Sequence, residues 1–149
     1  MHSLSPLFTI GTSGTSAQSF FERLQGAGVR RVWDTRLWGT SQLAGFAKKA
    51  DLPFLLRAVA DMPYEAYPEL APSADILKAF KNKATDWQEY TRRYLALLDA
   101  RHIAQRLDPD ALAGTCLLCA CALPHNCHRS LLAHYIERAW PQRFTVQHL

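Results

Sequence analysis

Four cysteines fall between positions 116 and 127, and the last is followed at once by a histidine and an arginine: Cys119-Ala-Cys121, then Cys127-His128-Arg129. A thiol at the start of a helix, beside an imidazole and a guanidinium, has its thiolate favoured, which is the form a nucleophile or a metal ligand needs. Three readings of this run are open. Cys127 or His128 does acid–base or thiolate chemistry; Cys119, Cys121 and Cys127, with His128 or His125, hold a metal; or the cysteines are inert and buried. The spacing C-x-C-x5-C-H lacks the paired C-x2-C knuckle of zinc fingers, which counts against zinc. A second pair, Asp34 and Arg36, shares one face of an extended segment. Arg36 either pairs with Asp34 or grips a phosphate or carboxylate that Asp34 helps to orient. A third element is the loop Gly11-Thr12-Ser13-Gly14-Thr15. It opens a helix, where free backbone N–H groups and the helix dipole favour an anion. It is neither a Walker loop nor a dinucleotide fingerprint, so the sequence names no cofactor.

Each of these stretches follows a strand pattern. Leu7–Ile10 is a short β-type run. Ala17, Phe20, Phe21 and Leu24 then recur at helical spacing, with Thr15 or Ser16 as cap and Gly26 or Gly28 as stop. Val29–Trp33 is a second strand, completing a unit of the size a parallel crossover needs. Pro53 suits the first turn of a helix over 53–60, and Met62–Tyr67 reads as an extended segment or short strand. Ser73 caps a helix running to about Asn82. Thr85 or Asp86 caps a longer one whose stripe of Trp87, Tyr90, Tyr94, Leu97, Leu98 and Ile103 reads as core rather than as a base-stacking platform. Thr115–Cys121 is near-continuously apolar, as buried parallel strands are, and puts Cys116 on the face opposite Cys119 and Cys121. Cys127–Arg138 is a helix, with Leu131, Leu132, Tyr135 and Ile136 inward, and Phe144–Val146 is a last strand. The pattern predicts an α/β fold: a three-layer α/β/α sandwich on a mostly parallel sheet of four or five strands. In such a sheet, sites lie beyond the C-terminal strand ends, so the three stretches should converge on one edge. Gly39-Thr40-Ser41-Gln42, after Arg36, is a candidate lid or a plain loop. His2, His102, His134 and His148 carry no signal of their own.

The bulk properties narrow the partners. The 149 residues make one domain, 1–149, without repeat or linker, 48% hydrophobic and 20% charged. A net charge of +4, from 17 basic and 13 acidic residues, permits an anionic substrate. The basic residues are dispersed, which gives only weak support for a nucleic-acid partner. No apolar run reaches the roughly 20 residues that span a membrane, and there is no secretory signal pattern, so the expected location is the cytoplasm.

A set of residues along most of the chain carries a resemblance. It comprises Ile10-Gly-Thr-Ser13, Val32-Trp-Asp34-Thr-Arg36, Leu52-Pro-Phe-Leu55, Tyr64 with Pro68-Glu-Leu, and Trp87 with Tyr90 and Tyr94. It ends with Leu117-Leu-Cys-Ala120 followed by Cys127-His-Arg129. In these the chain resembles the bacterial and archaeal "domain of unknown function 488" family over about residues 7–140. The resemblance implies an α/β sandwich and no settled biochemistry. Cys119 and Cys127 match the family pattern, whereas Cys121 stands where the family usually has Glu. The stretch after Arg36 keeps Ser41 and loses the Arg that commonly follows it. The combined expectation is an enzyme acting on a small phosphate- or nucleotide-containing substrate. Arg36, Arg129 and the Ser13–Thr15 loop hold the anion, and Cys127 or His128 acts with Asp34 orienting. A binding module using the same pocket without turnover, and a metal-binding domain on Cys119, Cys121, Cys127 and His128, are the alternatives.

Overall fold

The computed structural model describes residues 4–38, 42–121 and 123–149. Five strands form one sheet: β1 (Ser5–Gly11), β2 (Arg31–Asp34), β3 (Tyr64–Ala66), β4 (Thr115–Cys119) and β5 (Phe144–His148). Their order is β3-β2-β4-β1-β5, and every pairing is parallel. β4 is central, hydrogen-bonded to β1 on one side and β2 on the other. All five of its residues are buried, which is why its sequence does not alternate.

Helices cover both faces. α1 (Ala17–Ala27) and α2 (Leu52–Ala60) lie on one, where Phe20, Phe21, Leu24, Leu52 and Leu56 pack on Phe8, Ile10, Val32, Cys116 and Leu118. On the other, α3 (Ala74–Lys81), α4 (Trp87–Ala100) and α7 (His128–Ala139) bury Ile76, Tyr90, Tyr94, Leu98, Leu132 and Ile136 against Leu7, Trp33 and Leu117. Two short helices, α5 (Ile103–Arg106) and α6 (Pro109–Leu112), lead into β4. The three-layer α/β/α architecture is therefore the expected one, with a sheet that is wholly rather than mostly parallel.

Local signals explain most boundaries. The side chains of Ser16, Ser73 and Asp86 accept hydrogen bonds from the backbone N–H groups of Ser19, Ile76 and Glu89, satisfying donors that a helix start leaves free. Gly28 ends α1 in the left-handed conformation, at φ 78°. Several boundaries differ from the periodicity: β2 runs Arg31–Asp34 rather than Val29–Trp33, and two further differences have a visible cause. The stripe to Ile103 is broken where His102 takes φ 58°, in the left-handed region, before α5 begins; the Arg101 side chain next to it donates to the carbonyls of Glu69 and Ala71. β4 stops at Cys119 rather than Cys121, because the chain there crosses over the end of β1. The Thr12 and Ser13 N–H groups donate to the carbonyls of Cys119 and Ala120. Among the described residues, no helix is long and apolar enough to cross a membrane. Gly39, Thr40 and Ser41 of the candidate lid, and His2, lie outside the described residues.

Candidate functional site

The register brings three strand ends to one edge: Gly11 pairs with Cys119, and Asp34 with Leu118. Beyond that edge is a cleft of about 330 Å³. Arg36, Leu37 and Trp38 line it from the segment after β2, and Ala120 and Cys121 from the segment after β4. Asn126, Cys127 and His128 form the start of α7, and Leu77, Phe80, Lys81 and Tyr90 make the facing wall on α3 and α4. Much of the lining is apolar, with a few convergent polar groups, which is the usual character of a small-molecule site.

Three sulfurs meet at this end. Those of Cys119, Cys121 and Cys127 all lie within 4.8 Å of one another, and Cys119 and Cys127 approach to 2.9 Å. Cys127 is the N-cap of α7 but makes no side-chain capping bond. Cys119 and Cys127 are buried, while Cys121 is exposed. The neighbouring Cys119 and Cys127 thiols, with the positive charge of Arg129, hold the Cys121 thiol well below the ordinary cysteine range. Burial pushes the Cys119 thiol up. Thiolate character therefore falls on the exposed sulfur that faces the cleft. Cys116, on the opposite face of β4, is a core residue whose thiol burial also pushes up.

His128 is buried, and its Nε2 lies 3.0 Å from the Thr35 carbonyl and 3.1 Å from Thr35 Oγ1. That hydroxyl already donates to the Leu118 carbonyl. The network therefore assigns the proton to Nε2, which donates to Thr35, and leaves Nδ1 as the unprotonated nitrogen. Burial lowers the His128 pKa to about 4, so the ring is neutral near pH 7.

Asp34 and Arg36 form a buried bidentate pair. Arg36 Nε donates to Oδ1 at 2.9 Å and Nη2 to Oδ2 at 2.7 Å; the Arg36 backbone N–H and Tyr64 OH complete the carboxylate's partners. Asp34 is thus fully engaged behind Arg36 and positions it, while Arg36 itself lines the cleft with Nη1 outside the pair. Burial, with the Asp34 carboxylate, also pushes the Tyr64 hydroxyl pKa up.

The fold brings Arg36, Cys121, Cys127 and His128 into one cleft. Ser13, Thr15 and Arg129 are not among the described residues that line it. The Ser13 N–H is spent on the Ala120 carbonyl, and Thr15 Oγ1 accepts from Arg23. Arg129 is fully buried, and none of its three guanidinium nitrogens has a hydrogen-bond partner among the described residues. It sits where a Cβ on Gly11 would approach its Nη1 to 3.2 Å. The facing wall was not read from the sequence. The Phe80 and Tyr90 rings meet at a tilt, 5.0 Å apart, and Tyr90 stacks on Trp87 at 4.8 Å. Tyr90 serves the core, as its spacing implies, and also borders the cleft.

The family model for "Domain of unknown function DUF488" matches residues 16–136. No curated protein and no solved structure matches the chain.

Proposed function

The chain belongs to the DUF488 family, and from that premise we propose that the cleft at the C-terminal strand ends is an enzyme active site for a small substrate joining an anionic group to an apolar or aromatic part. The observation that supports this most is the convergence of Arg36, Cys121, Cys127 and His128 around one cleft of about 330 Å³. Arg36, held rigid by Asp34, and Lys81 supply positive charge for the anion. Phe80 and Tyr90 offer apolar surface to the remainder of the molecule. His128 Nδ1 accepts a proton from the bound substrate, its tautomer fixed by Thr35.

The test is a binding panel of small phosphates, nucleoside monophosphates and aromatic carboxylates, read by thermal shift and calorimetry. At least one class should bind at one per chain. Alkylation of the exposed Cys121 should then abolish that binding by filling the cleft. A panel without a binder, or a binder indifferent to the alkylation, defeats the reading.

A further inference from the structure

We propose that Cys119, Cys121 and Cys127 form a three-sulfur site for a zinc-type divalent cation, with the fourth coordination position open toward the cleft. This deepens the active-site reading by naming what occupies the sulfur end of the cleft, and it can be tested without any organic ligand.

Geometry is the first support. The sulfurs come from the end of β4, the segment after it and the N-cap of α7, yet all lie within 4.8 Å of one another. Around zinc, with Zn–S near 2.3 Å, tetrahedral sulfurs stand about 3.8 Å apart. Cys119 and Cys127, at 2.9 Å, need to open by about 1 Å to accept the ion at that spacing. Cys121 and Cys127 line the cleft, so a ligand entering it reaches the ion from that side. Three protein ligands plus an open position is the arrangement of a catalytic rather than a structural zinc.

Charge is the second, independent support. Arginine stays protonated in proteins, and Arg129 is fully buried with no hydrogen-bond partner among the described residues. A buried cation needs a counter-charge near it, and the sulfur cluster is close enough for Arg129 to act on the Cys121 thiol. Three thiolates around a divalent cation carry a net charge of −1, which Arg129 neutralises. The N-terminal end of α7, where Cys127 sits, also favours that negative charge. On binding, each thiol that is still protonated loses its proton to solvent as the metal–sulfur bond forms; no electron is transferred. His128 stays outside the sulfur set. Its Nε2 proton is committed to Thr35, and the residue lines the cleft into which the fourth position opens.

The experiment titrates the reduced, metal-free protein with Zn²⁺, counts bound metal, and repeats the titration with Co²⁺ to read sulfur–cobalt charge-transfer absorption. One ion per chain with thiolate absorption is expected. Cys121→Ser, at an exposed position, should keep its far-ultraviolet circular dichroism and lose at least tenfold in affinity. Cys116→Ser, altered on the opposite face, should bind as the unaltered protein does. Fewer than about half an equivalent bound, or a Cys121→Ser variant that binds unchanged, overturns the proposal. If zinc binds while the anionic panel yields no ligand, the active-site reading falls and the metal site stands; the reverse outcome separates them the other way.

Discussion

Gly11 lies directly beneath the backbone carbonyl of Cys121: a Cβ added to Gly11 would fall 1.5 Å from that oxygen. The end of one strand is in this way roofed by the segment that carries the exposed thiol. A side chain at position 11 forces that segment upward and pulls Cys121 away from Cys119 and Cys127. Gly11→Ala should therefore cost about 1–3 kcal/mol or more, as overpacking does, and should also slow or abolish reaction of Cys121 with a thiolate-selective reagent. Gly26→Ala, in α1 with nothing within 4 Å of the new Cβ, should gain about 0.5–1 kcal/mol from its better helix propensity. Urea midpoints of the two variants give the comparison. A Gly11→Ala protein as stable and as reactive as the parent would show that the roof moves freely.

The Asp34 carboxylate accepts two side-chain bonds from Arg36, one from the Arg36 backbone and one from Tyr64. Removing one partner leaves the others buried and uncompensated. Asp34→Ala should lose about 3–5 kcal/mol, the range for breaking a buried ion pair, and Tyr64→Phe about 1.5–3 kcal/mol, the range for a hydrogen bond to a charged group. Equal losses for the two variants, measured by chemical denaturation, would place the weight on Tyr64 rather than on the ion pair.

Acid should weaken the fold through His128. Burial lowers its folded pKa to about 4, with the Cys121, Arg129 and Asp34 charges acting on it as well; unfolded, it titrates near 6.5. The unfolded chain therefore binds the extra proton between these values, and stability present above pH 6.5 declines as the pH falls toward 4. The size is on the order of 3 kcal/mol. His128→Gln, which keeps a side-chain N–H donor for Thr35, should flatten the loss across that window. Denaturation curves at pH 7.5, 5.5 and 4.5 read it directly, and an unchanged slope in the variant assigns the effect elsewhere.

Much of this arrangement could be read before any coordinates. The unbroken apolar run at 115–119 marks a strand covered on both faces, and Ser73 and Asp86 mark helix starts because their side chains have few other uses there. A parallel sheet then places the Asp34–Arg36 and Cys119–Arg129 stretches at one edge. What periodicity does not carry is contact made by chain crossing. Ser13 lost its free N–H, and β4 its last two expected residues, to the same crossing of the 120–121 segment over β1. Phe80 and Tyr90 satisfy a core pattern equally well whether or not one ring edge faces a cavity. Arg129 reads from the sequence as an anion holder at a helix start; the packing of α7 under Gly11 buries it instead.

Arg129 offers the sharpest test of how charge is balanced at the sulfur end. In metal-free protein its guanidinium has no hydrogen-bond partner among the described residues and balances only the Cys121 thiolate, so replacing it with an apolar chain of similar length removes a buried charge and lets that thiol take up its proton. Arg129→Met should leave the metal-free, reduced protein as stable as the parent or more so, by up to about 1–4 kcal/mol, as when buried charges give way to apolar packing. With zinc bound the sign should invert. The three-thiolate complex keeps its net negative charge and loses the cation that neutralised it, so the zinc-induced rise in melting temperature should be smaller in the variant than in the parent. The two measurements, with chelator and with zinc, form a cycle whose coupling isolates the charge pairing from the packing change. Should Arg129→Met lose several kcal/mol without metal and show the full zinc shift, Arg129 has a structural partner of its own and the cluster draws its neutrality from elsewhere.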